Sequence, residues 1–163
     1  MHELAYWLLR IESQLFTTTV DGDGNIFPRG HASDFGNPGD VLLVGELQGL
    51  PCYAAELNEL PRGISGELIP IRSLFSFADE ETISLARRAT LLLDWQNNHR
   101  YCGKCGTPTN RKPREHSMVC PACGLVSYPR ISPAVMVLIR RGDELLLARS
   151  HRFKPGVFSA LAG

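Results

Sequence analysis

The chain has 163 residues, with 17 Lys or Arg and 17 Asp or Glu, so its formal net charge is zero. This balance provides no bulk attraction to nucleic acid or to an acidic membrane, and no apolar run approaches the length of a membrane span. The amino terminus carries Glu3 early and lacks the basic stretch of a secretory signal. Four paired cysteines and the lone Cys52 fit a reducing compartment, so we expect a cytoplasmic protein.

Residues 1–75 are predicted to form small strands joined by tight turns. The segment Gln14–Val20 is rich in β-formers, and the Asp-Gly-Asp-Gly-Asn sequence at 21–25 predicts a turn. The same residues resemble the start of a calcium loop. However, Ile26 and Ala32 stand where that loop needs a glycine and a glutamate, so the turn is favoured.

A β-hairpin is predicted in the middle of this region. Val41–Leu47 is an apolar strand, residues 48–51 form the turn, and Cys52–Leu57 is the returning strand. Because Cys52 lies within an apolar run, it is interpreted as a small buried side chain.

A helix is predicted over residues 79–96. Ser76 or Asp79 can cap its start, and Glu80 and Glu81 suit the positive end of the helix dipole. The charged side chains on its more solvated face are expected to serve solubility and pairing; they are Arg87, Arg88 and Asp94. The side chains at helical spacing on the other face are Ile83, Ala86, Ala89, Leu92, Leu93 and Gln96.

Two Cys-x-x-Cys pairs follow the helix: Cys102 with Cys105, and Cys120 with Cys123. Two residues between ligands let one turn supply two thiolates to a tetrahedral zinc ion, and a glycine after each pair lets the backbone bend. The spacing therefore predicts a structural zinc ribbon. The alternative, redox-active pairs or disulfides, would require two such motifs in direct succession.

The pattern changes again after the ribbon. Ser132–Arg140 is a strongly apolar strand, residues 141–143 form a turn, and Glu144–Arg149 is the returning strand. Near-continuous apolar runs are typical of strands covered on both faces. A buried hairpin followed by the last residue, Gly163, is expected to be the beginning of a domain.

This order of parts resembles the NAD(H) pyrophosphatases of the Nudix hydrolase superfamily. The resemblance is most specific from residue 99 to 163. It rests on the two Cys-x-x-Cys pairs, here called the knuckles, and on Tyr128-Pro129-Arg130-Ile131-Ser132-Pro133 and Leu161-Ala162-Gly163. It implies an α+β protein with a small, mostly β amino-terminal domain that includes a helix (1–97), a zinc ribbon (98–127) and the opening β-hairpin of a truncated α/β/α Nudix domain (128–163).

The resemblance also implies an activity. Family members hydrolyse the pyrophosphate of NAD(H) to nicotinamide mononucleotide and AMP, remove NAD caps from RNA, use Mg²⁺ or Mn²⁺, and are generally homodimers. In the family, the glycine matching Gly163 opens the Nudix box, whose glutamates bind these cations. Because this chain contains no such box, we expect its residues alone to be inactive.

Four further positions match residues of the family site. The resemblance implies that Tyr128 stacks on a substrate ring, that Glu115 accepts bonds from substrate, and that Arg29 is a basic contact in the first domain. It also implies that the backbone carbonyl of Ala162 binds a catalytic metal. The plainer alternatives are a packing tyrosine, a solvated acid and a surface arginine.

The ribbon region is locally basic, and this supports a second interpretation: a non-catalytic zinc-ribbon module that binds RNA or protein. A solvated face is the default for such charges, and a landing surface for phosphates is the functional alternative. His99 and His116 lie close in sequence to the knuckles but are expected to stay outside the four-thiolate ligand set. The basic residues are Lys104, Arg111, Lys112, Arg114 and Arg130.

Overall fold

The computed structural model describes residues 3–18, 26–113 and 115–163. Within them, strands predominate and there is one α-helix, which confirms the predicted α+β class. Internal contacts divide the chain into two units, Met1–Pro129 and Arg130–Gly163. The three-part division at 97/98 and 127/128 stays a prediction. The turn predicted at 21–25, positions 19–20 and Arg114 all lie outside the described residues.

The first unit contains a six-stranded sheet, one α-helix, two 3-10 helices and the ribbon. The sheet strands are Ala5–Ile11 (β1), Gln14–Thr17 (β2), Arg29–Gly30 (β3), Val41–Leu47 (β4), Leu50–Glu56 (β5) and Glu67–Pro70 (β6). The 3-10 helices are Ala32–Phe35 and Ile71–Ser76, and the α-helix is Glu80–Asn98 (α1). The ribbon strands are Asn110–Arg111 (β7), Met118–Val119 (β8) and Val126–Ser127 (β9).

The central strand of the sheet is β1, which the sequence analysis did not single out. The strand order is β4-β5-β1-β2-β6, and β1 pairs with β5 in parallel and with β2 in an antiparallel manner. Tyr6 and Leu8 pack into the core that includes α1, whereas Trp7 and Leu9 pack into a second core with Phe35. Because both faces are covered, β1 is apolar at successive positions and lacks the alternation that identifies a half-buried strand.

The predicted hairpin is present as β4 and β5. Its turn is tighter than expected, because Leu47 already pairs with Leu50. Gln48 and Gly49 have φ values of 51° and 76°, as a two-residue turn with two left-handed residues requires. The ladder shifts between Leu43 and Gly45, which leaves a bulge at residue 44.

Helix α1 confirms the predicted helix, with an end two residues later than expected. The Asp79 carboxylate accepts a hydrogen bond from the Thr82 amide at 2.7 Å and caps the helix. Ser76, the other candidate, instead donates its hydroxyl to the Ser73 carbonyl at 2.7 Å. Ala86, Ala89, Leu92 and Leu93 are buried against the sheet, whereas Ile83, expected on the same face, is only half-buried.

We expect Asp79→Ala to destabilise the first unit by about 1 kcal/mol at neutral pH. The Thr82 amide lowers the pKa of Asp79 below its usual 3.8, so the stabilisation is present above that pH and is lost as the pH falls through the lowered pKa. Urea unfolding at pH 7 and pH 3 measures this loss. Ser76→Ala is the matched control. An equal effect of the two substitutions at pH 7 would contradict the assignment of the cap.

The second unit consists of two small antiparallel pairs. Its strands are Met136–Val137 (β10), Ile139–Arg141 (β11), Glu144–Leu146 (β12) and Leu161–Ala162 (β13). The predicted long strand at 132–140 is therefore divided, with β10 paired to β13 and β11 paired to β12. The turn at 141–143 is present, with Gly142 at a φ of 60°. The expected cover on both faces is not found within 130–163, where Met136, for example, is 69% exposed.

In the described ranges, no helix is both long enough and apolar enough to cross a bilayer.

Candidate metal centre and substrate-binding residues

The two cysteine knuckles have the same backbone geometry. The Gly106 amide donates to the Cys102 carbonyl at 2.8 Å, and the Gly124 amide donates to the Cys120 carbonyl at 3.0 Å. Both glycines are left-handed, with φ values of 73° and 72°. A side chain at either position would strain this turn, so glycine allows each pair of sulfurs to point to one side.

The four sulfurs meet at one point of the ribbon. Cys102 Sγ lies 3.6 Å from Cys123 Sγ, and Cys105 Sγ lies 3.4 Å from Cys120 Sγ. All four sulfurs are within 4.8 Å of one another, and none is in a disulfide. A Zn–S distance of about 2.3 Å in a tetrahedron places sulfurs about 3.8 Å apart, so the donor set fits a structural zinc ion.

Neighbouring groups favour thiolates at one knuckle. The Lys104 amide, 3.4 Å from Cys102 Sγ, lowers the pKa of Cys102. The Thr107 hydroxyl lowers the pKa of Cys105 to about 6. For Cys123, the Leu125 amide acts in the same direction, but burial and the adjacent sulfurs raise its pKa to about 11. A bound cation favours the thiolate form of all four side chains, so its binding releases protons.

The ribbon is held against the amino-terminal sheet by specific contacts. Met118 joins the core that contains α1, and the Thr109 hydroxyl donates to the His99 carbonyl at 2.5 Å. Arg111 Nη1 donates to the Val41 carbonyl at 2.5 Å. His99 Nδ1 lies 2.7 Å from the Trp95 carbonyl, and the cluster of metal-binding groups contains no histidine.

Glu115, a candidate for substrate contact, lies beside the ribbon strands. Its carboxylate is 2.9 Å from Lys112 Nζ and accepts the Ser117 hydroxyl at 2.7 Å. These bonds, chiefly the one from Lys112, lower the pKa of Glu115. With 37% of its side chain exposed, the carboxylate is fixed by neighbours and still reaches solvent.

Tyr128, the second candidate for substrate contact in the ribbon region, directly follows β9. The pKa of Lys112 is raised mainly by Glu115 and also by the charge of Tyr128, which places the two side chains within electrostatic range. Tyr128 is 54% exposed, so its ring is accessible to a stacking partner. Glu115 thus pairs directly with Lys112, and Tyr128 acts on the same lysine from a longer distance.

Arg29 lies in a different cleft of the same unit. It is in β3, opposite Tyr6, and lines a depression with Phe35 and Ile64. That depression shares no residue with the cleft that Glu115 lines.

Ala162, in the second unit, is opposite Met136 in the β10–β13 pair. Val135 and Gly163 exchange both of their backbone hydrogen bonds, at 2.9 and 3.1 Å. The next pair in such a ladder is not hydrogen-bonded, so the Ala162 carbonyl points away from β10. A main-chain oxygen in this orientation can accept a ligand.

Arg88 has a structural role that its place on the solvated helix face did not indicate. Its Nη1 donates to the Val44 carbonyl at 3.2 Å, at the bulge in β4. The bulged residue has no ladder partner, so a side chain from α1 satisfies its carbonyl. Gly45 is the local signal that could have indicated the bulge, because an isolated glycine within a strand is typical of one.

The family described as the NADH pyrophosphatase zinc ribbon domain matches residues 97–128. This match covers the helix end, both knuckles and Tyr128.

Relatives that match most of this chain are named NAD-capped RNA hydrolase NudC. The chain is 42% identical to the protein from Stutzerimonas stutzeri over 149 residues, which are 88% of this chain and 52% of the relative. It is 41% identical to the protein from Pseudomonas aeruginosa over 162 residues, covering 96% and 56%. The protein from Chromobacterium violaceum is 48% identical over 122 residues, covering 74% and 46%.

The chain therefore spans about half the length of the curated relatives it matches. The ribbon match and the identity along most of the chain agree with the resemblance found from the knuckles. The chain belongs to the NudC-type family of Nudix proteins.

Proposed function

We propose that the whole protein hydrolyses the pyrophosphate bond of NAD(H) to nicotinamide mononucleotide and AMP, and removes NAD caps from RNA. The observation that carries this proposal is the identity of 41–42% with NAD-capped RNA hydrolases across 88–96% of the chain. We further propose a cytoplasmic homodimer, because unbridged thiols suit a reducing compartment and the family is generally dimeric.

The ribbon supplies part of the substrate site in this proposal. Tyr128 stacks its exposed ring on a nicotinamide or adenine base, and Glu115, held by Lys112 and Ser117, accepts ribose hydroxyls. Arg29 contributes a basic contact from a separate cleft. Zinc has no chemical role here and only fixes the ribbon.

Catalysis itself needs groups beyond these. A divalent cation, Mg²⁺ or Mn²⁺, neutralises the pyrophosphate charge and makes a bound water more acidic when it is present. Ala162 offers one main-chain oxygen for such an ion. Among the described residues, one group of three or more Asp, Glu, His or Cys side chains could hold a metal ion. That group is the cysteine cluster, which contains no carboxylate. We therefore propose that the 163 residues in isolation do not turn over NADH.

The experiment compares the product of the complete gene with its Tyr128→Ala variant. We expect kcat/KM for NADH to fall about 5- to 150-fold, because loss of one base–aromatic stack costs about 1–3 kcal/mol. Tyr128→Phe should restore most of the activity because it keeps the ring. Tyr101→Ala removes another exposed tyrosine of the ribbon region, 67% exposed against 54% for Tyr128, and is the matched control.

The outcomes separate the two candidate functions. No hydrolysis of NADH or NAD-capped RNA by the complete gene product, with either cation, would overturn the enzyme and favour the non-catalytic ribbon module. Turnover by the isolated 163 residues, absent from a mock preparation, would overturn the proposal that they are inactive.

A further inference from the structure

Three basic side chains from two elements converge on the strand β4. Arg111, from the ribbon, binds the Val41 carbonyl, and Arg88, from α1, binds the Val44 carbonyl. These carbonyls are three residues apart, about 10 Å along a strand. His116 lines one cleft together with Val41, Leu42 and Leu43 of this strand. One edge of the sheet thus carries two guanidinium groups and an imidazole.

A cleft opens beside these side chains. It has a volume of about 210 Å³ and is lined by residues 41–43 on the sheet side and by Arg111, Lys112, Glu115 and His116 on the ribbon side. Its volume is below the roughly 300 Å³ at which small-molecule pockets begin, so a whole dinucleotide does not fit. A single compact anionic group does.

The charges around the cleft are not balanced. Glu115 is paired with Lys112 at 2.9 Å and so offsets that one cation. Among the described residues, neither Arg88 nor Arg111 forms an ion pair with a carboxylate. Each guanidinium uses one N–H on β4 and retains other donors, in the planar geometry that matches phosphate oxygens.

We propose that this cleft binds a phosphate group of the nucleotide substrate, with Arg111 and His116 as its principal donors and Arg88 reinforcing the charge. The proposal rests on the proposed function for the identity of the substrate, because Glu115 belongs to both sites. The phosphate comes either from the pyrophosphate of the dinucleotide or from the RNA backbone that follows an NAD cap. Binding to β4 fixes both guanidinium groups in advance, which reduces the entropy lost on binding.

His116 provides a direct readout at the site. Burial first, and then the charges of Arg88 and Arg111, lower the pKa of His116. The other charged groups of the cleft are Lys112 and Glu115, which neutralise each other. A bound phosphate opposes the positive charges, so it should raise the pKa of His116. An NMR titration of the His116 ring proton resonances measures this pKa.

The test measures binding to the zinc-loaded 163-residue chain, with inorganic pyrophosphate, NAD and a short 5′-phosphorylated oligoribonucleotide as separate probes. Arg111→Gln keeps an N–H donor for the Val41 carbonyl but removes the charge, and we expect it to weaken binding about tenfold. Arg111→Lys should recover part of this loss. Arg62→Gln is the matched control, since Arg62 is 92% exposed and lies 4.0 Å from Glu59.

Each outcome decides the proposal. A raised pKa of His116 with at least one probe, together with weaker binding by Arg111→Gln and unchanged binding by Arg62→Gln, supports the site. The responding probe, NAD or the oligoribonucleotide, identifies the source of the phosphate. No response of His116 to any probe, or equal losses in the Arg111 and Arg62 variants, overturns it. Because no turnover is involved, an inactive gene product that still binds phosphate would contradict only the proposed function.

Discussion

Replacing Cys120 with serine should lower zinc affinity by more than about a hundredfold and unfold the ribbon. Cys120 is only 1% exposed, and its sulfur lies 3.4 Å from that of Cys105. A structural zinc site contributes about 10–16 kcal/mol of apparent binding free energy in small domains, and this binding energy is also folding energy. The described ribbon strands β7, β8 and β9 have only two residues each, so we expect them to depend on the ion for their stability.

Zinc stoichiometry after dialysis and protection of the ribbon amides from hydrogen exchange measure this effect. Cys52→Ala is the matched control because Cys52 is fully buried and burial, with nearby Glu81 and Glu46, raises the pKa of its thiol to about 12. It should retain one zinc ion per chain. A Cys120→Ser protein with wild-type zinc affinity, or a folded wild-type chain without zinc, would contradict the assignment.

Zinc occupancy should also depend on pH. The ligands bind as thiolates, and the burial and adjacent sulfurs that raise the pKa of Cys123 make protons effective competitors. Occupancy therefore falls as the pH falls.

The second large effect concerns a buried cation in the amino-terminal sheet. Arg10, in β1, has only 5% of its side chain exposed, and its guanidinium lies 3.3 Å from Glu56 and 2.5 Å from Asp94. The carboxylates are 33% and 55% exposed. Removing both by Glu56→Gln and Asp94→Asn leaves a buried charge without compensation, and we expect a loss of about 3–5 kcal/mol.

Removing the buried cation instead of its two carboxylates should lower the free energy of unfolding much less. Arg10→Met removes the buried charge, fills similar space, and leaves two carboxylates that can be hydrated, so we expect a loss of about 1 kcal/mol. Adding Arg10→Met to the double carboxylate variant should restore most of its stability. Urea unfolding of the four proteins gives the order. A result in which Arg10→Met is the least stable would show that the ion pairs contribute more than the desolvation of Arg10 costs.

The secondary structure could be predicted where a local signal exists. The β4–β5 hairpin and α1 were recognised from turn residues, helical spacing and the Asp79 cap, and the structure moves their ends by only a few residues. β1 was missed because a strand covered on both faces has no alternating pattern. The long strand predicted at 132–140 was wrong as a single element, because its two halves pair with different partners.

The zinc ligands could be predicted because their chemistry is local. Each knuckle is a single turn that ends at a left-handed glycine, so the sequence by itself determined which residues provide sulfurs and how each pair is oriented. The same locality made the family recognisable. Short-range geometry allows few alternatives, so spacing and residue type are enough.

Only the tertiary structure decided how side chains are paired across long separations. Arg10 contacts Asp94 over 84 positions, and Arg111 contacts Val41 over 70. It also placed Arg29 in a cleft separate from Glu115. Such contacts depend on the order of strands and on the docking of the ribbon on β4, which no local pattern encodes. Burial of a charge is a property of the whole fold, whereas a ligand spacing is a property of one turn.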